Sequence, residues 1–454
     1  MPSFSAMNTS SQKIHVDCRR SKRLKLKAEA LDRYRSVQQG AIGFFEILPV
    51  EVIHLILGNV SVLDLSVLTI VSKSMRSLVE DFRLTGSGIK KLRPVPLPHN
   101  KVSANHQARY VQHFQHLGLL MKRSTCLFAT NYRLKKIEEF LQKLDCLSNV
   151  MCGDLNSCIS LTCYGKFLHT VIAGWDNVEC RRAFAAVVTT SSILHKIGTC
   201  VAAQPGTDHR QEIFVRTFLH RVLLDQCNSL EQRVFWLTCV MKPCPVEPWP
   251  IVHQARLLYL LYGPLCPQTG KILWYEMTDL GTGSTMATMT QLAELALALK
   301  TLHIYDSEWT EDDVVSVIEE ITALPAQWTP ENIARLLMLC GDDIAIKVMG
   351  SKAINGHFQE LAGLIVALTV VSVKEQNHML WVVQIMKTLL RLIDNVTSRK
   401  VLLSLVSETY KDMILDFFEF HLDDSDIDAS LESTLEAQAE FNKYVMHMAY
   451  TEVL

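Results

Sequence analysis

The chain of 454 residues lacks the short motifs with which many enzymes bind phosphate or position a nucleophile. The Gly-Thr-Gly-Ser stretch at 281–284 has no lysine that would reach phosphates, so it is not a phosphate-binding loop. There is no Gly-x-Ser-x-Gly elbow and no Cys-x-x-Cys pair. No side chain stands out as a nucleophile beside a base, so we predict no catalytic residues.

Long apolar runs are also missing. The longest, residues 361–373, is flanked by Glu360 and Lys374, and it predicts a buried helix because it is too short to span a bilayer. The polar residues 1–12 lack the apolar core of a signal peptide. The 13 cysteines are odd in number and follow no pairing rhythm. We therefore expect reduced thiols in the cytosol or nucleus, and no membrane partner.

Two groups of side chains resemble metal ligands only loosely. The cysteines of one group are separated by five, five and four residues, wider than a zinc knuckle: Cys146, Cys152, Cys158 and Cys163. The histidines of the other approximate one helical face: His99, His106, His113 and His116. We interpret the cysteines as buried small apolar residues and the histidines as solvated. No metal and no cofactor is predicted.

What the sequence does contain is apolar helical periodicity. Hydrophobic residues make up 48% of the chain, enough for a sizeable core, and the net charge of −2 gives no overall attraction to polyanions. From about residue 106 onwards apolar residues recur at helical spacing, and residues 251–262 end at a Gly-Pro terminator. Sustained alternation is rare. The fold class predicted is all-α.

One local pattern occurs twice in the C-terminal half. Trp309-Thr310 and Trp328-Thr329 each precede an acidic first turn, which favours the start of a helix. Their spacing of 19 residues fits consecutive helices in a stacked array. Because the pattern recurs only once, it does not decide between an irregular and a solenoid-like helical region. Polar composition predicts loops at 280–290 and 423–428.

The segment from Phe44 to Leu84 is crowded with Leu, Ile and Val but too short for a large core of its own, so it needs a partner to cover it. Pro49 suits the start of a first helix, which Gly58-Asn59 ends. Ser72 can cap the third of three short helices. The apolar positions of these helices are Val52, Ile53, Ile56 and Leu57, then Leu63, Leu65 and Leu68, then Met75, Leu78, Val79 and Phe82.

This segment resembles the F-box. The resemblance is carried by Leu48-Pro49, Glu51, the first apolar face, Asp64-Leu65, and Val71-Ser72-Lys73 leading to Leu78. Met75 stands where the family often has Trp, and Met can fill the same gap. A plain helical hairpin in a larger core is the alternative. The residues predicted to contact a Skp-type adaptor, or to support that contact, are Leu48, Pro49, Ile53, Ile56, Leu57, Leu65 and Leu68.

The N-terminal residues 1–42 are polar and predict a disordered basic arm. Six of nine consecutive residues in it are basic: Arg19, Arg20, Lys22, Arg23, Lys25 and Lys27. We interpret them as a nuclear import signal, with a solvated tail or a nucleic-acid-binding arm as alternatives. No aromatic residue is interleaved with the basic ones, which disfavours stacking on a single-stranded nucleic acid, and we expect no nucleic-acid partner. The predicted organisation is completed by an F-box at 43–92, a Pro-rich linker at 93–105 and a helical partner-binding region at 106–454.

Further motifs resemble the long C-terminal region of one family of F-box proteins. They are Leu161-Thr162-Cys163-Tyr164-Gly165, Ala173-Gly174-Trp175-Asp176, Phe235-Trp236-Leu237-Thr238, residues 254–259 and 336–339, Ser351-Lys352-Ala353, and Asn355-Gly356. The resemblance implies a non-catalytic substrate receptor of a Skp–cullin–F-box ubiquitin ligase, holding an unknown protein substrate. It also implies a meiotic, germ-cell setting in the nucleus. We keep the cytoplasm open as a second location. The alternative is a scaffold in meiotic chromatin that uses the F-box fold without ligase assembly.

Overall fold

The computed structural model describes residues 42–92, 104–142, 159–243, 248–278, 285–305, 309–376, 379–420 and 425–453. Within these ranges the chain forms 20 α-helices and no β-strand, which confirms the all-α prediction. The chain divides into two compact units. The described residues up to Val187 belong to the first unit, and those from Val188 onwards belong to the second.

The first unit contains the predicted F-box segment and the helices that follow it. A 3₁₀ turn at Gly43–Ile47 leads into four short helices: α1 Val50–Asn59, α2 Val62–Val71, α3 Lys73–Leu84 and α4 Gly86–Leu92. The longer helices are α5 Ala104–Ser124, α6 Thr130–Leu141, α7 Ile159–Ile172 and α8 Asn177–Ser191, the last of which continues into the second unit. The predicted arm and nearly all of the predicted linker lie outside the described residues.

The helix starts in the F-box segment follow from the capping residues in the sequence. The Ser61 hydroxyl accepts a hydrogen bond from the Asp64 amide at 3.1 Å, and the Ser72 hydroxyl accepts one from the Met75 amide at 3.1 Å. Each hydroxyl satisfies an amide that the first helical turn leaves unpaired. The predicted Ser72 cap and the end of α1 at Asn59 are therefore both confirmed.

Aromatic packing joins α5, α6 and α7. The Phe140 ring of α6 stacks on Phe167 of α7 with 4.0 Å between ring centroids, and it meets Phe114 of α5 edge-on at 5.7 Å. At Gly118 of α5, an added Cβ would lie 2.8 Å from the Thr170 Cβ atom. Helices α5 and α7 thus touch at a position where a side chain would force them apart.

The second unit is built from helices of 10 to 29 residues. They are α9 Ile193–Ala202, α10 His209–Leu219, α11 Leu230–Met241, α12 Ile251–Tyr262, α13 Thr285–Ile304, α14 Glu311–Ala323, α15 Pro330–Cys340, α16 Asp342–Ile354, α17 Phe358–Lys374, α18 Met379–Leu392, α19 Val396–Phe420 and α20 Ser425–Val453. A π-helical turn, His220–Leu224, continues α10.

These helices stack in two layers, because each one packs on the helix two positions further along the chain. One layer consists of α11, α13, α15, α17 and α19, and the other of α10, α12, α14, α16, α18 and α20. Each pair buries an apolar face that it could not bury alone, which is how helical repeats generate a continuous core. The structure therefore sharpens the prediction of an irregular or solenoid-like region into a stacked two-layer array.

The repeated Trp-Thr pattern marks two consecutive helix starts, as predicted. Thr310 caps α14 through the Asp313 amide at 3.1 Å, and Thr329 caps α15 through the Asn332 amide at 3.3 Å. Trp309 and Trp328 are both buried. The indole N–H of Trp309 donates to the Thr238 hydroxyl of α11 at 3.0 Å, which ties the start of one helix to the neighbouring layer.

Two predicted loops are partly helical. Helix α13 begins at Thr285, inside the predicted loop 280–290, and α20 begins at Ser425, inside the predicted acidic loop 423–428. Acidic residues in a first helical turn interact favourably with the helix dipole, so the polar composition of 425–428 suits a helix start as well as a loop. Among the described helices, no single one is long and apolar enough to cross a membrane; α8 and α9, bent by 74°, meet that threshold only as a pair.

Candidate functional site: the F-box apolar surface

Two sides of α2 differ in what covers them. The side that carries Val62, Leu65 and Thr69 is buried, and α2 packs on α3 and α5. The other side carries four exposed apolar residues at helical spacing: Leu63, Val67, Ile70 and Val71. A helix that is apolar all round is normally covered all round. One side of α2 therefore lacks the neighbour that its sequence calls for among the described residues.

Helix α1 and the turn before it add a second set of exposed apolar side chains. Leu55 is 68% exposed and Ile70 of α2 is 53% exposed, values that are high for residues of this kind. We call the whole set the F-box apolar surface. Its members are Ile47, Leu48, Val50, Val52, Leu55, Ile56, Leu63, Val67, Ile70 and Val71.

The charge pattern of this segment matches that of a docking surface. Between Ile47 and Val71 the only charged side chains at neutral pH are Glu51 and Asp64, and no Lys or Arg occurs. The Asp64 carboxylate is engaged locally, because it accepts a hydrogen bond from the Ser61 hydroxyl at 2.6 Å. Protein interfaces are depleted of charge at their centre. A partner could thus cover this surface without burying an unpaired cation.

Hydrogen bonds between neighbouring helices fix the helices that carry the F-box apolar surface. The Arg123 guanidinium of α5 donates to the Ser66 hydroxyl of α2 at 2.7 Å, and the Lys91 ammonium of α4 donates to the Gly58 carbonyl of α1 at 2.6 Å. Arg76 of α3 donates to the Thr69 carbonyl at 3.0 Å. These bonds link all of the short helices to one another or to α5. The exposed residues are consequently presented by a packed scaffold.

The seven residues predicted for adaptor contact or support fall into two groups. Leu48, Pro49 and Ile56 are exposed, and Leu68 is half-buried. The other three, Ile53, Leu57 and Leu65, are buried among the F-box helices. The first group can meet a partner directly, whereas the buried residues can only support the surface. Adaptor binding by either group stays a prediction.

The predicted adaptor contacts left out most of the exposed set. The residues left out are Ile47, Val50, Val52 and Leu55, then Leu63, Val67, Ile70 and Val71, although Val52 belongs to the predicted first apolar face. The cause is the composition of α2, whose two sides are both apolar. The one available signal is the spacing of Leu63, Val67 and Ile70 at i, i+4 and i+7, which places the three residues on one face of a helix.

Met75, the position where the F-box family often has Trp, is buried on α3. It lies in the same interior as Val79 and Phe82, both of which are almost fully buried. The Phe82 ring also meets the His54 ring of α1 at 6.0 Å between centroids. Met75 thus occupies a core position, in agreement with the prediction that it fills the apolar gap.

The other candidate residues do not form a site in the part of the chain that the structure describes. Cys163 is buried on α7, where burial raises the pKa of its thiol to about 12, and Cys146, Cys152 and Cys158 lie outside the described residues. The described histidines of the other group lie on α5: His106, His113 and His116. No set of three or more His, Cys, Asp or Glu in the described ranges could hold a metal ion. The basic residues at 19–27 also lie outside those ranges.

Comparison with known proteins agrees with this geometry. The F-box domain profile matches residues 45–85, the segment that carries the exposed apolar surface. The profile described as "FBXO47, ARM repeats" matches residues 189–454, the two-layer helical array. F-box only protein 47 of Homo sapiens is 37% identical over 415 residues, covering 89% of each chain. The chain belongs to the F-box only protein 47 family.

The mouse member of the F-box only protein 47 family gives the same result. F-box only protein 47 of Mus musculus is 35% identical over 423 residues, covering 91% of each chain. No solved structure matches this chain. The family assignment confirms both resemblances found in the sequence, that of residues 44–84 and that of the C-terminal region, and it identifies the layered helices of the second unit as ARM repeats.

Proposed function

We propose that this protein is the substrate-recognition subunit of a Skp–cullin–F-box ubiquitin ligase. It would dock a Skp-type adaptor, and through it a cullin, with the F-box apolar surface, and hold a protein substrate with its helical C-terminal region. The observation that carries the proposal is the exposure of Val67 and Ile70 on a helix whose other side is packed. Other subunits would supply catalysis, so this chain would be a non-catalytic adaptor.

The mechanism is tethering. Full burial of a Val, Leu or Ile side chain contributes about 1.5–3 kcal/mol, so several half-exposed side chains together can anchor a stable complex. A substrate bound elsewhere on the same chain then experiences a high effective concentration of the transfer machinery. Such a function requires two binding regions and no reactive group of its own. A substrate-binding ARM-repeat unit and a docking F-box would meet that requirement.

The proposal is tested by placing a charge on the exposed side of α2. Ile70→Glu should weaken capture of a Skp-type adaptor by about 100-fold or more, because the interface would bury an unpaired carboxylate. Leu380→Glu is the matched control, since Leu380 is 46% exposed on α18 and should leave adaptor capture unchanged. Circular dichroism should show unchanged helix content for both variants. Full adaptor affinity in Ile70→Glu would contradict the proposal.

Affinity purification from cells distinguishes the ligase proposal from the scaffold alternative. With the proteasome inhibited, the full chain should recover the adaptor, a cullin and ubiquitinated substrate together. Recovery of the adaptor without any cullin would instead favour the meiotic chromatin scaffold. The meiotic germ-cell setting is part of this proposal and is supported by the family resemblance alone.

We also propose that the basic arm directs the protein to the nucleus. The support is its composition, six basic residues among the nine at 19–27. Replacing those six residues with Ala should shift a fluorescent fusion of the full chain into the cytoplasm. The control substitutions avoid Lys91 of α4, because its ammonium donates a hydrogen bond to the Gly58 carbonyl. Lys73 and Lys90, both exposed, are suitable control positions. Unchanged nuclear accumulation would refute the import signal.

A further inference from the structure

A cavity of about 590 Å³ lies within the second unit, at the start of the ARM-repeat region. Its walls come from α10, the π-helical turn, α11, the end of α12, the short connection after α12, and α13. Three arginines line it, Arg216, Arg221 and Arg233, together with two carboxylates, Asp225 and Glu294. Its formal charge is therefore positive by one when His220, which also lines it, is neutral.

The π-helical turn shapes one wall of this cavity. Residues His220–Leu224 form the turn, and both His220 and Arg221 line the cavity. The His220 Nδ1 atom lies 3.1 Å from an Asp225 carboxylate oxygen, and the Nε2 atom lies 3.0 Å from the Leu261 carbonyl. The His220 ring is thus held between the residue that follows the turn and the end of α12. Single π-helical turns are rare and occur frequently at functional sites.

The three arginines are engaged to different degrees. Arg216 donates to the Leu260 and Gly263 carbonyls at 3.0 and 2.8 Å, and burial lowers its pKa to about 10, which leaves it charged at neutral pH. Arg221 pairs with Asp225 at 3.6 Å. The Arg233 guanidinium makes no hydrogen bond or ion pair with any described residue. Its charge nevertheless acts on Asp225 and Tyr262, so it lies close to both.

Tyr262 provides an unpaired donor in the same cavity. The residue is 5% exposed, it lines the cavity, and its buried hydroxyl has no hydrogen-bond partner among the described residues. Burial raises the pKa of this hydroxyl well above its ordinary value, so the group is a protonated donor at neutral pH. A buried hydroxyl without a partner lowers the stability of the fold. The unpaired donor and the unpaired Arg233 cation together fit an acceptor with negative charge.

We propose that this cavity binds an oxyanion, a carboxylate or a phosphate, carried by a side chain of the protein substrate. Arg233 would form the ion pair, and the Tyr262 hydroxyl would donate a hydrogen bond to the same group. Leu297, which is exposed, and Leu265 add apolar surface beside the charges, as a peptide segment requires and a free anion does not. The inference rests on the proposed function in one respect, that the occupant is a substrate.

The test uses small probes on the full chain. Phenyl phosphate, benzoate and inorganic phosphate are titrated at constant ionic strength, with binding followed by calorimetry. Saturable binding of phenyl phosphate alone would identify phosphate as the group bound, and tighter binding of benzoate would identify a carboxylate. Arg233→Gln should weaken the preferred probe by about tenfold or more, whereas Arg210→Gln, at an exposed site on α10 outside the cavity, should not. Equal affinity in wild type and Arg233→Gln would overturn the proposal, as would no binding of any probe.

A second variant separates a binding role from a structural one. Tyr262→Phe removes only the unpaired hydroxyl, so the melting temperature of the probe-free chain should stay the same or rise, while probe affinity falls several-fold. A lower melting temperature with unchanged affinity would overturn the assignment of Tyr262 as a donor. Adaptor capture should be normal in both cavity variants. If the wild-type chain captures the adaptor but binds no probe, only the proposal for the cavity is refuted. If it binds a probe but captures no adaptor, only the ligase proposal is refuted.

Discussion

Helices α2 and α17 are both rich in Leu, Ile and Val, yet they bury these residues to different extents. On α17 eleven residues are buried and no large apolar side chain is exposed, because α15, α16, α18, α19 and α20 surround it. On α2 only four residues are buried, and four large apolar side chains are exposed. The comparison teaches that composition alone does not decide burial. The neighbours decide it, and among the described residues none covers the exposed side of α2.

The largest effect on stability is expected for a substitution in α17, most of whose residues are buried. Leu368 of α17 is fully buried, so Leu368→Ala should lower the free energy of unfolding by about 2–5 kcal/mol. Denaturant unfolding of the full chain would measure it, with Leu380→Ala at an exposed position of α18 as a control near zero. Adaptor capture should persist under native conditions. A Leu368→Ala variant as stable as the control would contradict the burial of this side chain among the neighbouring helices.

A somewhat smaller effect is expected at the start of the F-box. Leu48 and Pro49 are exposed ahead of α1, and replacing both with Ala removes apolar area worth about 1.5–3 kcal/mol in a buried interface. Adaptor affinity should therefore fall by about 10-fold to 100-fold. The helix signal of the C-terminal region should not change. If binding survived at full strength, these two residues would have to be removed from the predicted contact set.

Loss of a helix cap gives a matched pair of changes in the two units. Ser61→Ala, just before α2, and Thr310→Ala, just before α14, each remove a hydroxyl that accepts from an amide of the first turn, at a cost of about 1 kcal/mol. Only Ser61→Ala should also weaken adaptor capture, because α2 carries part of the F-box apolar surface, with which we propose the adaptor is bound. Hydrogen exchange of the two helices would measure the local cost. Equal effects on adaptor capture would break the distinction between the units.

The smallest effect concerns acid stability near the π-helical turn. Burial alone would raise the pKa of Asp225, but the hydrogen bond to His220 and the nearby Arg221 lower it overall. A carboxyl whose pKa is lower in the folded state stabilises the protein above its ordinary pKa near 3.8, and that contribution is lost as the pH falls through the folded value. Asp225→Asn should flatten the decline of melting temperature in acid. The exposed Asp312→Asn serves as control, and a matching change there would remove the special role of Asp225.

Much of the fold could be predicted from local signals in the sequence. The Gly-Pro stop after Tyr262 places the end of α12 correctly, and the threonine caps before α14 and α15 identify two helix starts. Such signals act within one turn of the chain, so a single sequence carries them. The two-layer order does not follow from them, because the packing of each helix on the next but one depends on residues far apart in sequence.

The candidate site was predictable as a segment but not residue by residue. Ile53 and Ile56 are both apolar and lie three positions apart, yet one is buried and the other exposed. Only the placement of α5 against α2 decides which side of α2 remains open. The cavity beside α10 gave no signal at all, since its arginines and Tyr262 come from three separate helices. No local pattern connects such residues.

The position of α17 has a consequence for shortened forms of the protein. Helices α19 and α20, which together cover much of α17, are the last two helices that the structure describes. A premature stop codon before Val396 would remove both helices and expose apolar surface along residues 361–373 of α17. Cellular chaperones and proteases recognise exposed apolar surface. We therefore expect a product truncated there to be degraded or to aggregate, even though its F-box remains intact.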